Sequence, residues 1–477
     1  MPTKIKADIC IIGAGSGGLS VAAGAAQLGK KVVLIEKGEM GGDCLNYGCV
    51  PSKALLSAGA AAQAMRITAQ YGITPHEPEV DYGAAMDHVR KAIDTIAPHD
   101  SQERFEGLGC IVIREHGSFT GPRQVTAGDN VIDAKFIIVS TGSSPFVPPI
   151  PGIDSVPYLT NEHLFENRTK PEHLLVVGGG PIGIEMAQAH RRLGCEVSVI
   201  EAAPSIMGND DPELVDVVRK NLVAEGVNLL EGAKATNVRS DSGGKIAIDL
   251  EGGSQSSVTG SHLLMAAGRK PNIDGLNLEA AGVEYTRAGI KVNDYLQSSN
   301  KRVYAIGDVA GGLQFTHVAG YHAGLIIRNL LFKLSKGKNE ASTISPYVTY
   351  SDPELAHIGL TESQAKEKYS DFKVRRWEFT ENDRAIAEGA TSGLVKVITD
   401  KKGNILGASI VGKNAGDLIQ TWAFAVANKQ NVKAFTNYIA PYPTRGEASK
   451  RVSSAFFTDQ LFSDRTRSLI KFLSLFD

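Results

Sequence analysis

Cysteine is scarce in this chain, with five in 477 residues. An odd, sparse set excludes a small secreted fold held together by disulfides. No run of 18 apolar residues occurs, so hydropathy gives no transmembrane helix. Neither sign of charge dominates: 50 Lys and Arg against 52 Asp and Glu leave a formal charge of −2. Nothing in that balance points to nucleic acid or an anionic surface. The opening MPTKIKADICIIGAGSGGLSVAAGAA has the outline of a signal peptide. Its glycines, however, are spaced for a phosphate turn and its apolar stretch reads as a strand, so a cytoplasmic protein is expected.

What is abundant is glycine, 51 residues, in a chain with 42% apolar and 21% charged residues. This suits a globular protein of two to four domains with many tight βα turns. Residues 7–12 (ADICII) read as a short buried strand. GAGSGG follows, then a small-residue helix, then KKVVLIE ending at Glu36. The same unit recurs as HLLVVGGGPIGIEMAQAHRRLG followed by CEVSVIE, ending at Glu201. Each is a βαβ pattern. The Pro-rich PFVPPIPGIDSVP (145–157) reads as an interdomain crossover, and SKGKNEAST (335–343) as a polar hinge before a last mixed region. The expected domains are residues 1–149, 150–270, 271–342 and 343–477.

Gly13-x-Gly15-x-x-Gly18, with Gly17 inside it, follows a strand, opens a helix and has an acid about twenty residues on. Gly178-x-Gly180-x-x-Gly183 repeats the arrangement, with Glu201 as its acid. Such glycines let the backbone approach a pyrophosphate at a helix N-terminus, and the acid accepts from ribose hydroxyls. An acid at that strand end repels a 2′-phosphate, which favours NAD(H) over NADP(H). Two dinucleotide sites in one chain suggest a resident flavin and an exchanging nicotinamide.

Cys10, Cys110 and Cys195 stand alone in apolar surroundings and read as buried structural residues. Cys44 and Cys49 lie together in GGDCLNYGCVPSKALL (41–56). Residues five apart on a regular helix are roughly 8–9 Å apart, whereas a disulfide needs Cα atoms within roughly 7 Å. The pair therefore needs a distorted first turn, and Pro51 suits a helix start. A thiolate at a helix N-terminus with Lys53 nearby is stabilised, which is the setting of a reactive pair.

This segment resembles the active-site stretch of the FAD-dependent pyridine nucleotide–disulfide oxidoreductases, the family of dihydrolipoamide dehydrogenase, glutathione reductase and mercuric reductase. GAGSGG, STGSSP (140–145), GGGPIGIE (178–185), AAGRKPN (266–272) and YAIGDVAGG (304–312) occur in family order. The resemblance implies an α/β fold with two Rossmann-like domains, for FAD and NAD(P), and a C-terminal α+β dimerisation domain. It implies that Cys49 contacts the flavin and Cys44 exchanges with substrate, the two forming a redox disulfide. Lys53 and Glu185 match a pair near the reacting end of the flavin. Gly13, Gly15, Gly17, Gly18, Glu36, Lys37, Gly117, Thr141, Gly142, Asp308, Thr316 and His317 fall on FAD-contacting positions. Gly178, Gly180, Gly183, Glu201 and Gly268 fall on nicotinamide-dinucleotide positions, with Ala235 a looser match. No metal site is expected.

The family's dihydrolipoamide dehydrogenases and glutathione reductases carry His-Pro-Thr-x-x-Glu near the C-terminus, where His serves the other subunit's thiols. This chain reads Tyr442-Pro-Thr-Arg-Gly-Glu447. Tyr ionises near 10 against about 6.5 for His, so it is a poor base at neutral pH. IAPYPTRGEASKRV resembles the mercuric reductase version, yet the chain ends RTRSLIKFLSLFD without cysteine. The expectation is a homodimer with a shared active site, reducing a disulfide or a soft metal–thiol complex. The alternatives are a dihydrolipoamide dehydrogenase with an unusual lipoyl partner, a metal or quinone reductase acting directly from flavin, and a non-catalytic redox sensor. The tail 455–477 is expected to pack at a dimer interface or on the partner domain, with peripheral membrane binding and a partner-docking helix as the alternatives.

Overall fold

A computed structural model describes residues 2–241, 243–332 and 336–476. Ser335, the first residue of the expected hinge, lies outside them. The chain forms two compact units. The first comprises the residues up to Ala69, Thr74–Ala203 and Val227–Ser342; the second comprises Gln70–Ile73, Pro204–Gly226 and the chain from Thr343 on.

Among the described residues, the first unit is built on two parallel sheets. One has strands β1 (Thr3–Ile12), β2 (Val32–Ile35), β3 (Ile111–Ile113), β4 (Gly117–Gly121), β5 (Gln124–Ala127) and β6 (Asn130–Val139) in the order β3-β2-β1-β6-β5-β4, with Val303–Ala305 also on β6. The β1, β2, β3 and β6 pairings are parallel, and β4–β5–β6 is an antiparallel meander. β1 begins earlier than the expected 7–12, because Thr3–Ala7 pair in register with Asn130–Ala134 of β6, a partner invisible to local pattern. The parallel strands are buried on both faces, so they read as continuous apolar runs. Helix α1 (Ser16–Gln27) packs over β1 and β2.

β7 (Ser143–Pro145) pairs with β15 (Arg269–Pro271). Between them lies the second sheet. β8 (His173–Val177), β9 (Glu196–Glu201), β10 (Asn228–Glu231) and β14 (His262–Met265) run parallel in the order β10-β9-β8-β14. An antiparallel sheet of β11 (Lys234–Ser240), β12 (Ile246–Glu251) and β13 (Ser257–Gly260) adjoins it in sequence. The two sequence repeats are thus two βαβ units of the same kind, as expected.

The second unit is a five-stranded antiparallel sheet, Tyr347–Thr349, Glu354–Gly359, Ile405–Gly412, Leu394–Thr399 and Lys373–Glu378 in spatial order, with helix Ala415–Ala427 across it. Trp422 is fully buried there, stacked 4.0 Å from Phe435, with its indole N–H donating to Ser449 Oγ at 3.0 Å. Helix Pro212–Ala224 of segment Pro204–Gly226 packs on this sheet, and one ion cluster ties it down. Buried Lys396 donates to Asp211 at 2.7 Å and to Glu213 at 2.8 Å, and Glu362 lies at 2.8 Å. Arg376 adds a 2.7 Å contact to Glu213.

Lys396→Met leaves these carboxylates facing each other. It is expected to cost about 3 kcal/mol, the low end for a broken buried pair because Glu213 and Glu362 reach solvent. The check is urea denaturation. Lys396 also holds Glu362 down to about 2 from 4.5. That contribution is present above 4.5 and is lost as pH falls from 4.5 through 2. The variant should lose this part of the acid dependence.

Candidate active site

The glycines of the first turn stand where side chains cannot. Gly13 has φ +107°, and a Cβ there would strike the Ser140 carbonyl; one on Gly18 would strike the Gly13 carbonyl. α1 starts at Gly15 with no side-chain cap and no acid in its first turn, so its N-terminal amides are left for an anion. Beyond the strand, Glu36 accepts from Ala14 N–H at 2.6 Å and Gly38 N–H at 2.7 Å. The second turn repeats this geometry. Gly178 has φ +114°, a Cβ on Gly183 would strike the Gly178 carbonyl, and Glu201 accepts from Gly179 and Ala203 N–H, each at 2.7 Å. Beside it is a groove of about 290 Å³ whose lining includes Gly178, Gly180, Glu201, Gly268, Arg269 and Asn161.

The cysteines do not share a helix. Cys44 is in the short α2 (Gly42–Asn46) and Cys49 opens α3 (Cys49–Arg66), with the chain broken at Tyr47 and Gly48. The break is sharper than a distorted first turn, and it is what lets residues five apart meet. Both are free thiols; Cys44 is half-buried and Cys49 exposed. Their sulfurs hydrogen-bond to each other. Thr316, the first residue of helix Thr316–Ile327, places its Oγ1 3.3 Å from Cys49 Sγ.

The hydrogen bond from Cys44 is the main influence holding Cys49 down to about 6, with help from Thr316 and the Lys53 charge and against burial. The same bond, with burial, pushes Cys44 far up. Of the two, Cys49 is the sulfur favoured as the thiolate and Cys44 the one favoured to keep its proton. The other three cysteines are buried, and burial raises Cys10 to about 12 and Cys110 and Cys195 to about 11. They are buried, as expected.

Lys53 lies one turn beyond Cys49 on α3 and pairs with Glu185 at 2.7 Å, on helix Pro181–Arg192. Close packing at Gly59 against Ala189 holds the two helices together. Asp308 accepts from Ser143 Oγ at 2.5 Å, and burial raises its carboxyl. Thr141 Oγ1 donates to the Asn272 carbonyl at 2.6 Å, and Gly142 has φ +68° with open space at its Cβ. His317 stacks on Phe315 at 5.2 Å. Gly117 packs against Ile12 and Ile35, and Lys37 is exposed. Ala235 lies on β11 against an apolar cluster, away from the lining of the groove.

Tyr442 and Glu447 lie in the second unit. Tyr442 is exposed and donates to Asp383 Oδ2 at 3.0 Å, a bond that raises its phenol. Glu447 pairs with Arg451 at 2.7 Å. Four residues around the dithiol were not singled out from sequence. Asp43, Ser143 and Arg269 lie inside motifs that were read for their neighbours. Asn161 has only the Thr160 helix cap beside it as a signal. Among the described residues, no group of three His, Cys, Asp or Glu is placed to hold a metal, and no helix is long and apolar enough to cross a membrane.

Two anion-ready turns and a neighbouring pair of thiols fit a two-electron oxidoreductase that uses dinucleotides. Comparison with known proteins agrees. The pyridine nucleotide-disulphide oxidoreductase family model matches residues 7–323, and that family's dimerisation domain matches 345–453. A mercuric reductase of Lysinibacillus sphaericus is 36% identical over 95% of this chain and 83% of its own. A dihydrolipoyl dehydrogenase of Thermus scotoductus is 34% identical over 94% of this chain and 97% of its own. The HOCl-induced flavoprotein disulfide reductase RclA of Escherichia coli superposes with a TM-score of 0.84 at 26% identity, over 94% of this chain and 99% of its own. The chain belongs to the FAD-dependent pyridine nucleotide–disulfide oxidoreductases and carries their dimerisation domain.

Iodoacetamide labelling of the reduced protein should follow a titration at Cys49 with midpoint near 6. At pH 7 Cys49 is then about nine-tenths ionised. Fragment-resolved mass spectrometry checks both.

Proposed function

We propose that this enzyme carries electrons from NADH, by way of FAD, to Cys44 and Cys49 and on to a disulfide or a soft metal–thiol complex. The observation that supports this best is the chain break at Tyr47 and Gly48 that sets Cys44 beside Cys49 at the start of α3, with Thr316 Oγ1 at 3.3 Å and Cys49 favoured as the thiolate. Bound FAD would supply a two-electron relay between the nicotinamide and the cysteine pair. The uncapped helix start and the glycines Gly13, Gly15, Gly17 and Gly18 fit its pyrophosphate, with Glu36, Lys37 and Gly117 toward the adenosine. Thr141, Gly142, Asp308, Thr316 and His317 take the remainder, and Lys53 with Glu185 the reacting end. The segments 1–149 and 271–342 form the FAD-binding part, 150–270 the nicotinamide part and 343–477 the dimerisation part.

The second turn and its groove hold the nicotinamide dinucleotide, through Gly178, Gly180, Gly183 and Gly268, with Ala235 at most peripheral. Glu201, anchored by two backbone N–H groups, favours a ribose hydroxyl over a 2′-phosphate. Free thiols in this number suit a reducing compartment such as the cytoplasm.

The dithiol performs the exchange. The Cys49 thiolate takes the proton of Cys44 along their hydrogen bond. The Cys44 thiolate then attacks one sulfur of the acceptor disulfide, forms a mixed disulfide and expels one thiolate. Cys49 protonates that leaving group and, as a thiolate again, attacks Cys44. The second acceptor thiol leaves, taking a proton from solvent, and the Cys44–Cys49 disulfide is restored. The acceptor gains two electrons and two protons. Tyr442, its phenol raised by Asp383, is not the base; with Glu447 it would border the partner subunit's thiols and shape access. Relatives named for mercuric ion and for dihydrolipoyl groups support a sulfur or soft-metal acceptor.

Cys44→Ser should lower NADH-driven reduction of 5,5′-dithiobis(2-nitrobenzoate) by roughly a thousandfold or more, while NADH reduction of ferricyanide, which draws electrons from flavin, persists. Retention of disulfide reduction would remove the dithiol route. Separately, kcat/KM for NADPH should rise about tenfold in Glu201→Ala, the equivalent of ~1.4 kcal/mol of lost repulsion, with steady-state kinetics as the check.

A further inference from the structure

The residue before Cys44 is an acid, and its surroundings are built. Asp43 Oδ1 lies 3.1 Å from the Arg269 guanidinium and accepts from Asn161 Nδ2 at 3.0 Å. Asn161 also donates to the carbonyl of Tyr47, between the two cysteines, at 3.1 Å. Arg269 is largely buried and fixed from behind, donating to Ser143 Oγ at 2.7 Å and to the Ser143 carbonyl at 2.8 Å. The same Ser143 hydroxyl donates to Asp308, whose carboxylate is 3.9 Å from Arg269. Both side chains that grip Asp43 also line the groove beside the second turn.

We propose that Asp43, Arg269 and Asn161 form a polar tie between the dithiol segment and the nicotinamide groove, making Asp43 a positioning residue that lets groove occupancy act on Cys49. The inference rests on the reading of Cys44 and Cys49 as the working dithiol. Cys49 feels charge and hydrogen bonding from several sides. Cys44, Thr316 and Lys53 favour its thiolate, and the Asp43 carboxylate opposes it. Lys53 is itself balanced by Glu185, and Arg269 offsets Asp43 while also facing Asp308. A dinucleotide that engages Arg269 or Asn161 in the groove competes for the groups that hold and neutralise Asp43. The field at Cys49 changes with it, and no backbone movement is required.

The test is site-resolved iodoacetamide labelling of the reduced FAD-loaded protein against pH, without turnover. Asp43→Asn, which removes the opposing charge in a side chain of the same shape, should label Cys49 about threefold faster at pH 5. Arg269→Gln, which unmasks that charge, should label it about threefold slower. Below the thiol's midpoint, rate follows ionised fraction, tenfold per pH unit. A saturating redox-inert dinucleotide, 3-aminopyridine adenine dinucleotide, should change the native rate at least twofold and leave Asp43→Asn unchanged. Superimposed pH curves for native protein and both variants would overturn the tie. A nucleotide effect surviving in Asp43→Asn would overturn the coupling. A native Cys49 with no enhanced reactivity below pH 7 would instead strike at the dithiol reading itself.

Discussion

The interaction that the neighbouring elements converge on is the mutual influence of two thiols, which favours the charge on Cys49 and the proton on Cys44. A lone thiol in partly apolar surroundings stays protonated at neutral pH. Here the S–H of Cys44 supplies a hydrogen bond that makes the neighbouring anion cheaper to hold. The arrangement exists because the helix is interrupted at Tyr47 and Gly48. An unbroken helix through 41–56 would carry the two side chains to different faces. The Thr316 hydroxyl and the Lys53 charge also favour the thiolate at Cys49.

The supports for that contact come from far apart in the chain. Lys53 and Glu185 are 132 residues apart, and Cys49 and Thr316 are 267 apart. Lys53 and Glu185 meet because α3 packs against helix Pro181–Arg192, and Thr316 reaches Cys49 from the first position of helix Thr316–Ile327. The glycine turns act at the backbone level, where only the absence of a side chain allows such close approach.

Legibility in the sequence followed the range of the interaction. Both turns, their acids and the dithiol segment could be read, because each is a local pattern with a chemical reason for its spacing. The family's architecture followed from the order of those patterns. What could not be read is non-local. The early start of β1 depends on pairing with β6, and no periodicity in residues 3–7 announces it. The attachment of Pro204–Gly226 to the second unit is tied down by Lys396, nearly two hundred residues downstream. Asp43 and Arg269 stood inside quoted motifs, yet only the fold shows that they face each other. The break between α2 and α3 was anticipated as a distortion, but its extent was not, since Gly48 permits more than the cysteine spacing demands.

On the proposed reading, a dithiol that is distinct from the groove beside the second turn has a consequence for timing. Two electrons parked on a pair of sulfur atoms stay in the protein after the donor has gone. Donor and acceptor then never need to be present together, and neither need recognise the other's shape. Each can be screened at its own doorway, at its own moment, and the enzyme acts as a short-lived store between two otherwise unconnected pools of reducing power.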